Sequence, residues 1–271
     1  MTIARINGTE LFYEVTGTGP RLVLVHGSWG DATNWDAVVP ALAERYEVVT
    51  YDRRGHTRSA DPRTQGSRVE DAADLAGLIE HLGGPAHVIG NSFGASITIT
   101  LVATRPDLVA SAAAHEPPLF GLLQSTDDPE VAAALEAMSR DIAAVLGLLV
   151  RGDELAGTRL FMERVAFGPG SWDAFPPGVQ AKFIGNAGTF LDESRDPEAD
   201  WIDVATLATN SVPVLLSRGT ESPRPFGAVV DLLAAVIGNS RVAVIEGAGH
   251  VPHVTHPEAF VALQLASLAR A

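Results

Sequence analysis

The 271-residue sequence contains no cysteine and only a small share of positive charge. Without cysteine, the chain has no disulfide bond, no thiol nucleophile and no cysteine-ligated zinc or iron–sulfur site. Lysine and arginine number 19 against 33 aspartate and glutamate residues, which gives a formal net charge of −14. Because nucleic acids and anionic membrane surfaces repel an acidic protein, we expect neither as a partner.

Long apolar runs are also missing from the sequence. The longest candidate, residues 142–150, is too short to span a bilayer and is bounded by Asp141 and Arg151. The first residues show strand-like alternation and no basic-then-apolar secretion signal, so we expect a cytoplasmic protein. Hydrophobic residues make up 46% of the chain, which is typical of a globular protein with a substantial core.

Strand and helix signals alternate over most of the chain. An Asn7-Gly8 turn predicts a hairpin within residues 3–16. Further apolar runs typical of buried strands occupy residues 21–25, 47–51, 88–89, 108–114, 212–216 and 241–245. Capping boxes at residues 67–70 and 255–258 predict the starts of two helices. This rhythm indicates an α/β fold with a mostly parallel eight-stranded sheet, helices on both faces, and an active site at the carboxyl ends of the strands.

The alternation stops over residues 119–208, where helical and loop patterns occur without a clear strand. We therefore predict a helical cap at 119–208, inserted into a core formed by residues 1–118 and 209–271. If the large apolar side chains of this insertion face the site, the pocket suits an apolar or aromatic group. The alternative is that they pack the insertion onto the core. They are Leu119, Phe120, Leu123, Phe161, Val165, Phe183 and Phe190.

Residues 90–94 read Gly-Asn-Ser-Phe-Gly, the pattern G-x-S-x-G, between a strand signal and a helix signal. A sharp strand-to-helix turn strains the central residue, and small residues on either side let the chains pass closely. The Ser92 hydroxyl then stands clear of the sheet. The backbone N–H of Phe93 lies at a helix N-terminus, where unpaired donors favour a developing negative charge.

With three further motifs in order, the sequence resembles the α/β-hydrolase superfamily over nearly the whole core. These motifs are His26-Gly27-Ser28, the loop Asp52-Arg53-Arg54-Gly55-His56 and Gly247-Ala248-Gly249-His250, although Thr57 stands where a glycine is usual. The resemblance implies an α/β-hydrolase fold of the serine branch with a helical cap. It also implies Ser92 as nucleophile, His250 as general base, and an oxyanion hole formed by the N–H groups of Ser28 and Phe93.

The acid that orients the histidine is open between two glutamates. The family usually supplies an aspartate after the seventh strand, but the matching position is Ser222, and Glu221 lies one residue away. Glu116, after the sixth strand, is similar in position to the acid of zearalenone lactonases. We favour Glu116 and keep Glu221 as the alternative. Either carboxylate would accept the imidazole N–H and stabilise the imidazolium.

A serine nucleophile predicts acyl chemistry on a carboxylic ester or lactone with an apolar or aromatic group. Alternatives are C–C bond hydrolysis of a diketone, a perhydrolase or cofactor-free haloperoxidase-like activity, and a non-catalytic ligand-binding protein of the same fold. We expect a small-molecule substrate, no cofactor and no metal, and leave a homodimer open. The histidines at 250, 253 and 256 lack a carboxylate to complete a metal site. The predicted substrate contacts are Trp29, Phe120, Phe161 and His253.

Overall fold

The computed structural model describes residues 2–60 and 66–270, which form one eight-stranded sheet. Its strands are β1 (Thr2–Ile6), β2 (Thr9–Thr16), β3 (Arg21–Val25), β4 (Glu47–Tyr51), β5 (Ala86–Asn91), β6 (Val109–His115), β7 (Val214–Gly219) and β8 (Ser240–Ile245). Their order is β1-β2-β4-β3-β5-β6-β7-β8. The pairs β1–β2 and β2–β4 are antiparallel, and all other pairs are parallel. The predicted α/β fold with a mostly parallel sheet is confirmed.

Helices connect the parallel strands and cover both faces of the sheet. They are α1 (Val39–Leu42), α2 (Arg68–His81), α3 (Phe93–Thr104), α4 (Pro129–Val150), α5 (Glu154–Phe161), α6 (Ser171–Ala174), α7 (Pro177–Gly185), α8 (Ala187–Arg195), α9 (Val204–Ala208), α10 (Arg224–Val236), α11 (Pro252–Thr255) and α12 (Pro257–Leu268). Short 3-10 turns occur at Ala32–Trp35, Pro106–Leu108 and Phe120–Leu123, and a π turn at Met162–Ala166. In the part of the chain that the structure describes, none of these helices has the length and apolar character needed to cross a bilayer.

Local sequence signals explain several boundaries. Asn7 and Gly8 both have positive φ, 47° and 80°, as a two-residue hairpin turn requires. The Ser67 hydroxyl accepts a hydrogen bond from the Glu70 N–H and caps α2 at the predicted start, but the Glu70 carboxylate pairs with Arg54 and does not complete the capping box. The predicted cap at Thr255 is wrong. Its hydroxyl bonds the carbonyl of Val251 inside α11, and α12 begins only after His256, without a side-chain cap.

Apolar side chains form three clusters around the sheet. One lies between the strands and α2, α3 and α10, and a second lies on the opposite face beneath α1 and α12. The third cluster gathers the aromatic residues of the segment between β6 and β7 around the buried ring of Trp29. We call this segment, residues 119–208, the helical segment. Because it leaves β6 and returns to β7, it is attached to the sheet at the carboxyl end of β6, next to the end of β5.

Candidate active site

Ser92 occupies a strained turn between β5 and α3. Its φ of 55° and ψ of −126° lie in a region that side chains rarely adopt, at a cost of about 1–3 kcal/mol. A Cβ added to Gly90 would lie 2.3 Å from the carbonyl oxygen of Gly94, and one added to Gly94 would lie 2.2 Å from that of Val25. Both glycines are therefore required by close backbone approach, as the G-x-S-x-G pattern predicts.

His250 lies in the loop after β8 and is held from three directions. Its Nδ1 forms a 2.7 Å hydrogen bond with Oε2 of Glu116. Its backbone carbonyl accepts a 2.8 Å hydrogen bond from the side-chain amide of Asn91, next to Ser92. The ring of Phe226 stacks on the imidazole at a centroid distance of 4.1 Å. The imidazole therefore has a fixed orientation in a mostly apolar environment.

Glu116 is fully buried and follows the last residue of β6. Its Oε1 accepts a 2.8 Å hydrogen bond from the backbone N–H of Gly219, at the end of β7. Burial raises the pKa of this carboxyl, but the hydrogen bond with His250 and the charges of His115 and His250 outweigh it and lower the pKa to about 2. The group is a carboxylate at neutral pH. It therefore assigns the proton to Nδ1 of His250 and leaves Nε2 as the acceptor.

Glu221, the alternative acid, is exposed, and its backbone N–H donates to the carbonyl of Ala248. No hydrogen bond in residues 2–60 and 66–270 joins its carboxylate to His250. The structure thus brings Glu116, and not Glu221, to the histidine ring.

A cavity of about 420 Å³ lies between the carboxyl ends of the strands and the helical segment. Ser28, Ser92, Phe93 and His250 line it on the sheet side. Within the described ranges, no hydrogen bond joins the Ser92 hydroxyl to the His250 ring. The two side chains share one cavity, and the imidazole is held there by Glu116 and Phe226.

The predicted oxyanion residues lie on either side of the Ser92 turn. Phe93 is the first residue of α3, where backbone N–H groups lack partners within the helix. A Cβ added to Gly27 would lie 3.0 Å from the Cβ of Ser92, which shows how closely the loop of Ser28 approaches the turn. The side chain of Ser28 itself points to the helical segment and donates a 2.5 Å hydrogen bond to Glu193.

Two of the four predicted substrate contacts line the cavity. Phe120 and Phe161 do, but Trp29 and His253 are not among its lining residues in the described chain. Trp29 is fully buried against Phe161, at a centroid distance of 5.1 Å, because it fills the core of the helical segment. His253 lies beneath the site with its ring 4.4 Å from that of Trp35, and burial lowers its pKa to about 3.

Glu193 is one of the cavity residues that the sequence did not predict. It lies on α8, is buried, and lines the cavity beside Ser28 and Phe93. Burial raises its pKa to about 7, although the Arg53 charge and the Ser28 hydroxyl act in the opposite direction. Its spacing from Phe190, three residues earlier, places a carboxylate on the apolar face of a helix. This spacing is the sequence feature from which the position of Glu193 at the cavity could have been predicted.

Known proteins similar to this chain point to one family. Residues 22–263 match the model of an alpha/beta hydrolase family. An uncharacterised hydrolase of Bacillus subtilis, YraK, is 38% identical over 51% of this chain and 52% of its own length, so the chain spans about half of that relative. The zearalenone hydrolase of Bionectria ochroleuca is 27% identical over 96% of this chain and 94% of its own. A thermophilic esterase from Thermogutta terrifontis superposes with a TM-score of 0.75 and 25% identity, covering 100% of this chain and 99% of its own.

Proposed function

The chain belongs to the alpha/beta hydrolase family, and from this membership we propose that it hydrolyses a carboxylic ester or lactone through an acyl-enzyme on Ser92. The observation that carries the proposal is the buried hydrogen bond between His250 and Glu116, formed at a cavity that Ser92 also lines. The zearalenone hydrolase and the Thermogutta esterase, both similar over nearly the whole chain, support a hydrolase of this kind.

The reaction begins when the Ser92 oxygen attacks the substrate carbonyl and passes its proton to Nε2 of His250. The N–H groups of Phe93 and Ser28 stabilise the oxyanion, and Glu116 stabilises the imidazolium. The carbonyl–oxygen bond to the alcohol then breaks, and the alcohol leaves with the proton from His250. A water gives its proton to His250 and attacks the acyl group, which releases the acid and restores the Ser92 hydroxyl.

In this proposal the helical segment acts as a cap on the core formed by residues 1–118 and 209–271. It supplies the apolar part of the cavity wall, including Met138, Ile142, Phe161 and Phe190. A cavity of about 420 Å³ with such a lining suits a small substrate with an apolar or aromatic group. Phe120, which packs against Phe226 at a centroid distance of 5.2 Å, lies on the same wall.

The test is a panel of p-nitrophenyl esters, aromatic lactones and a diketone, with mass detection of an acyl adduct on Ser92. We expect turnover of esters or lactones, an adduct on the peptide that contains Ser92, and loss of both in Ser92→Ala. Ester turnover near wild type in Ser92→Ala would contradict the proposal. Turnover of the diketone alone would indicate C–C bond hydrolysis, and tight ligand binding without turnover would indicate a binding protein.

A further inference from the structure

Glu193 separates the active-site cavity from a second cavity of about 240 Å³. Together with Phe93 it lines both. The second cavity is lined by Arg53, Arg54, His56 and Asp71 from the core, and Gly188, Thr189 and Asp192 of α8 also line it. The proposed mechanism uses neither Glu193 nor this second cavity. The carboxylate of Glu193 is thus buried in the wall between the two cavities, beside the reacting groups, and has no role in the chemical steps.

The contacts of Glu193 fix its carboxylate at the reacting end of the cavity. Oε2 accepts a 2.5 Å hydrogen bond from the Ser28 hydroxyl, whose backbone N–H is a proposed oxyanion donor. Oε1 accepts a hydrogen bond from the guanidinium of Arg53. Ser28 and Arg53 lie on the loops after β3 and β4. Residues of the core therefore bind the Glu193 carboxylate, although Glu193 belongs to the helical segment.

The positive charge of Arg53 is already shared. The same guanidinium forms a 3.0 Å ion pair with Asp71, so two buried carboxylates face one cation. The remaining charged side chains that line the active-site cavity are Asp196 and Asp200, and no lysine or arginine lines it in the described part of the chain. A further anion in this cavity therefore meets carboxylates without a free cation to balance it.

We propose that Glu193 is a specificity-determining residue, which excludes substrates whose acyl chain carries a carboxylate into the active-site cavity. The proposal rests on the function proposed above and narrows it to esters and lactones with an uncharged acyl chain. A carboxylate that enters the cavity would lose its hydration beside a group of like charge, which weakens its binding. A methyl group at the same position would contact the apolar wall, which strengthens its binding.

The ionisation of Glu193 gives the exclusion a pH dependence. The charged or titratable groups that face it are Arg53, Asp71, Asp192 and, through Arg53, His56. Because burial raises the pKa of Glu193 to about 7, its negative charge is present above this pH and is lost below it. Discrimination against anionic substrates should therefore strengthen as the pH rises through neutrality.

The test compares p-nitrophenyl hexanoate with mono-p-nitrophenyl adipate, which differ in a terminal methyl against a carboxylate. Ser92→Ala supplies the uncatalysed background for both. We expect wild type to prefer the hexanoate in kcat/KM by about tenfold or more, and the preference to grow between about pH 6 and about pH 8. The ratio of the two rates cancels every pH effect on the chemical steps that both substrates share.

Two variants test whether the preference for the hexanoate arises from the charge of Glu193. Glu193→Gln keeps the shape and the acceptor for Ser28, and we expect it to reduce the preference by about tenfold and to remove its pH dependence. Asp192→Asn removes the same charge from the neighbouring residue of α8, which lines only the second cavity, and we expect it to keep the preference. Thermal unfolding of each variant verifies the fold.

The outcomes separate this inference from the function on which it rests. If wild type hydrolyses both esters with similar kcat/KM, the exclusion is wrong and the hydrolase function stands. If it hydrolyses neither of these esters nor any ester or lactone of the panel above, and forms no adduct on Ser92, the function fails and the inference fails with it. A preference that does not change with pH in wild type also overturns the role of Glu193, whether or not Glu193→Gln folds.

Discussion

Glu116 and His250, 134 residues apart in sequence, are joined by a 2.7 Å hydrogen bond between Oε2 and Nδ1. The acid follows β6 and the histidine follows β8, so β7 lies between them in the sheet. Its last residue, Gly219, donates its N–H to the same carboxylate, and a Cβ there would lie 2.1 Å from the carbonyl of Ala248. The close packing at Gly219 thus lets one carboxylate bridge the ends of two strands.

The first prediction separates the two candidate acids. Glu116→Gln removes the charge that stabilises the imidazolium and disturbs the tautomer of His250, so we expect kcat to fall by about 10²- to 10⁴-fold. Glu221→Gln, the matched change at an exposed residue, should alter kcat less than about twofold. Ester hydrolysis by the two purified variants checks this, and the reverse order would assign the acid role to Glu221.

The second prediction concerns Gly94. In Gly94→Ala the added Cβ meets the carbonyls of Val25 and His26 at 2.2 and 2.6 Å, so the backbone of the turn must shift. We expect a loss of about 3 kcal/mol in the free energy of unfolding and loss of activity. Gly188→Ala, where a Cβ has open space in α8, should be neutral or stabilise by about 0.5 kcal/mol. Urea unfolding of both variants is the measurement, and equal stabilities would contradict the argument.

The third prediction concerns Asn186, a buried residue at the junction of α7 and α8. Its amide N–H groups donate to the carbonyls of Trp29 and Gly30, and its oxygen accepts from the N–H of Thr57. Asn186→Ala leaves these backbone groups unpaired, so we expect unfolding to become easier by about 3 kcal/mol. The exposed Asn239→Ala serves as the control and should cost less than about 0.5 kcal/mol. Denaturant titration distinguishes them, and similar costs would show that the buried contacts do not matter.

The fourth prediction is the pH dependence of stability that arises from Glu116. Its pKa is lowered to about 2 in the folded protein, below the value of 4.5 that is usual for a free glutamate. The stabilisation is therefore complete above about pH 4.5 and is lost as the pH falls towards 2. Wild type should lose more stability than Glu116→Gln between about pH 5 and about pH 3. Parallel acid unfolding curves for the two proteins would show that this carboxyl does not contribute.

The sequence predicted the architecture well because local patterns fix it. Strands such as β3 and β4 are continuous apolar runs, which only a sheet covered on both faces can bury. The turn at Ser92 was predictable for the same reason. The backbone approaches so closely at positions 90 and 94 that only glycine fits there, and both glycines are visible in the sequence. The sequence did not predict that α12 lacks a side-chain cap, because the Thr255 hydroxyl bonds the carbonyl of Val251 instead.

The direction of individual side chains was decided by the tertiary structure. Trp29 follows the loop of Ser28, yet its ring turns away from the cavity into the aromatic cluster of the helical segment. Glu193 lies far from every motif in sequence, yet its carboxylate on α8 accepts hydrogen bonds from Ser28 and Arg53, in the loops after β3 and β4. Residue types along a chain do not specify which distant surface a helix will meet.

By itself, the sequence determined the alternating elements, the strained position of Ser92 and the short motifs along the chain, because each depends on neighbouring residues alone. Only the tertiary structure decided which glutamate meets His250, which aromatic rings face the cavity and where Glu193 places its charge. These relationships depend on distances between residues more than 100 positions apart, such as the 134 between Glu116 and His250. Such distances are set by the order of strands in the sheet and by the packing of the helical segment.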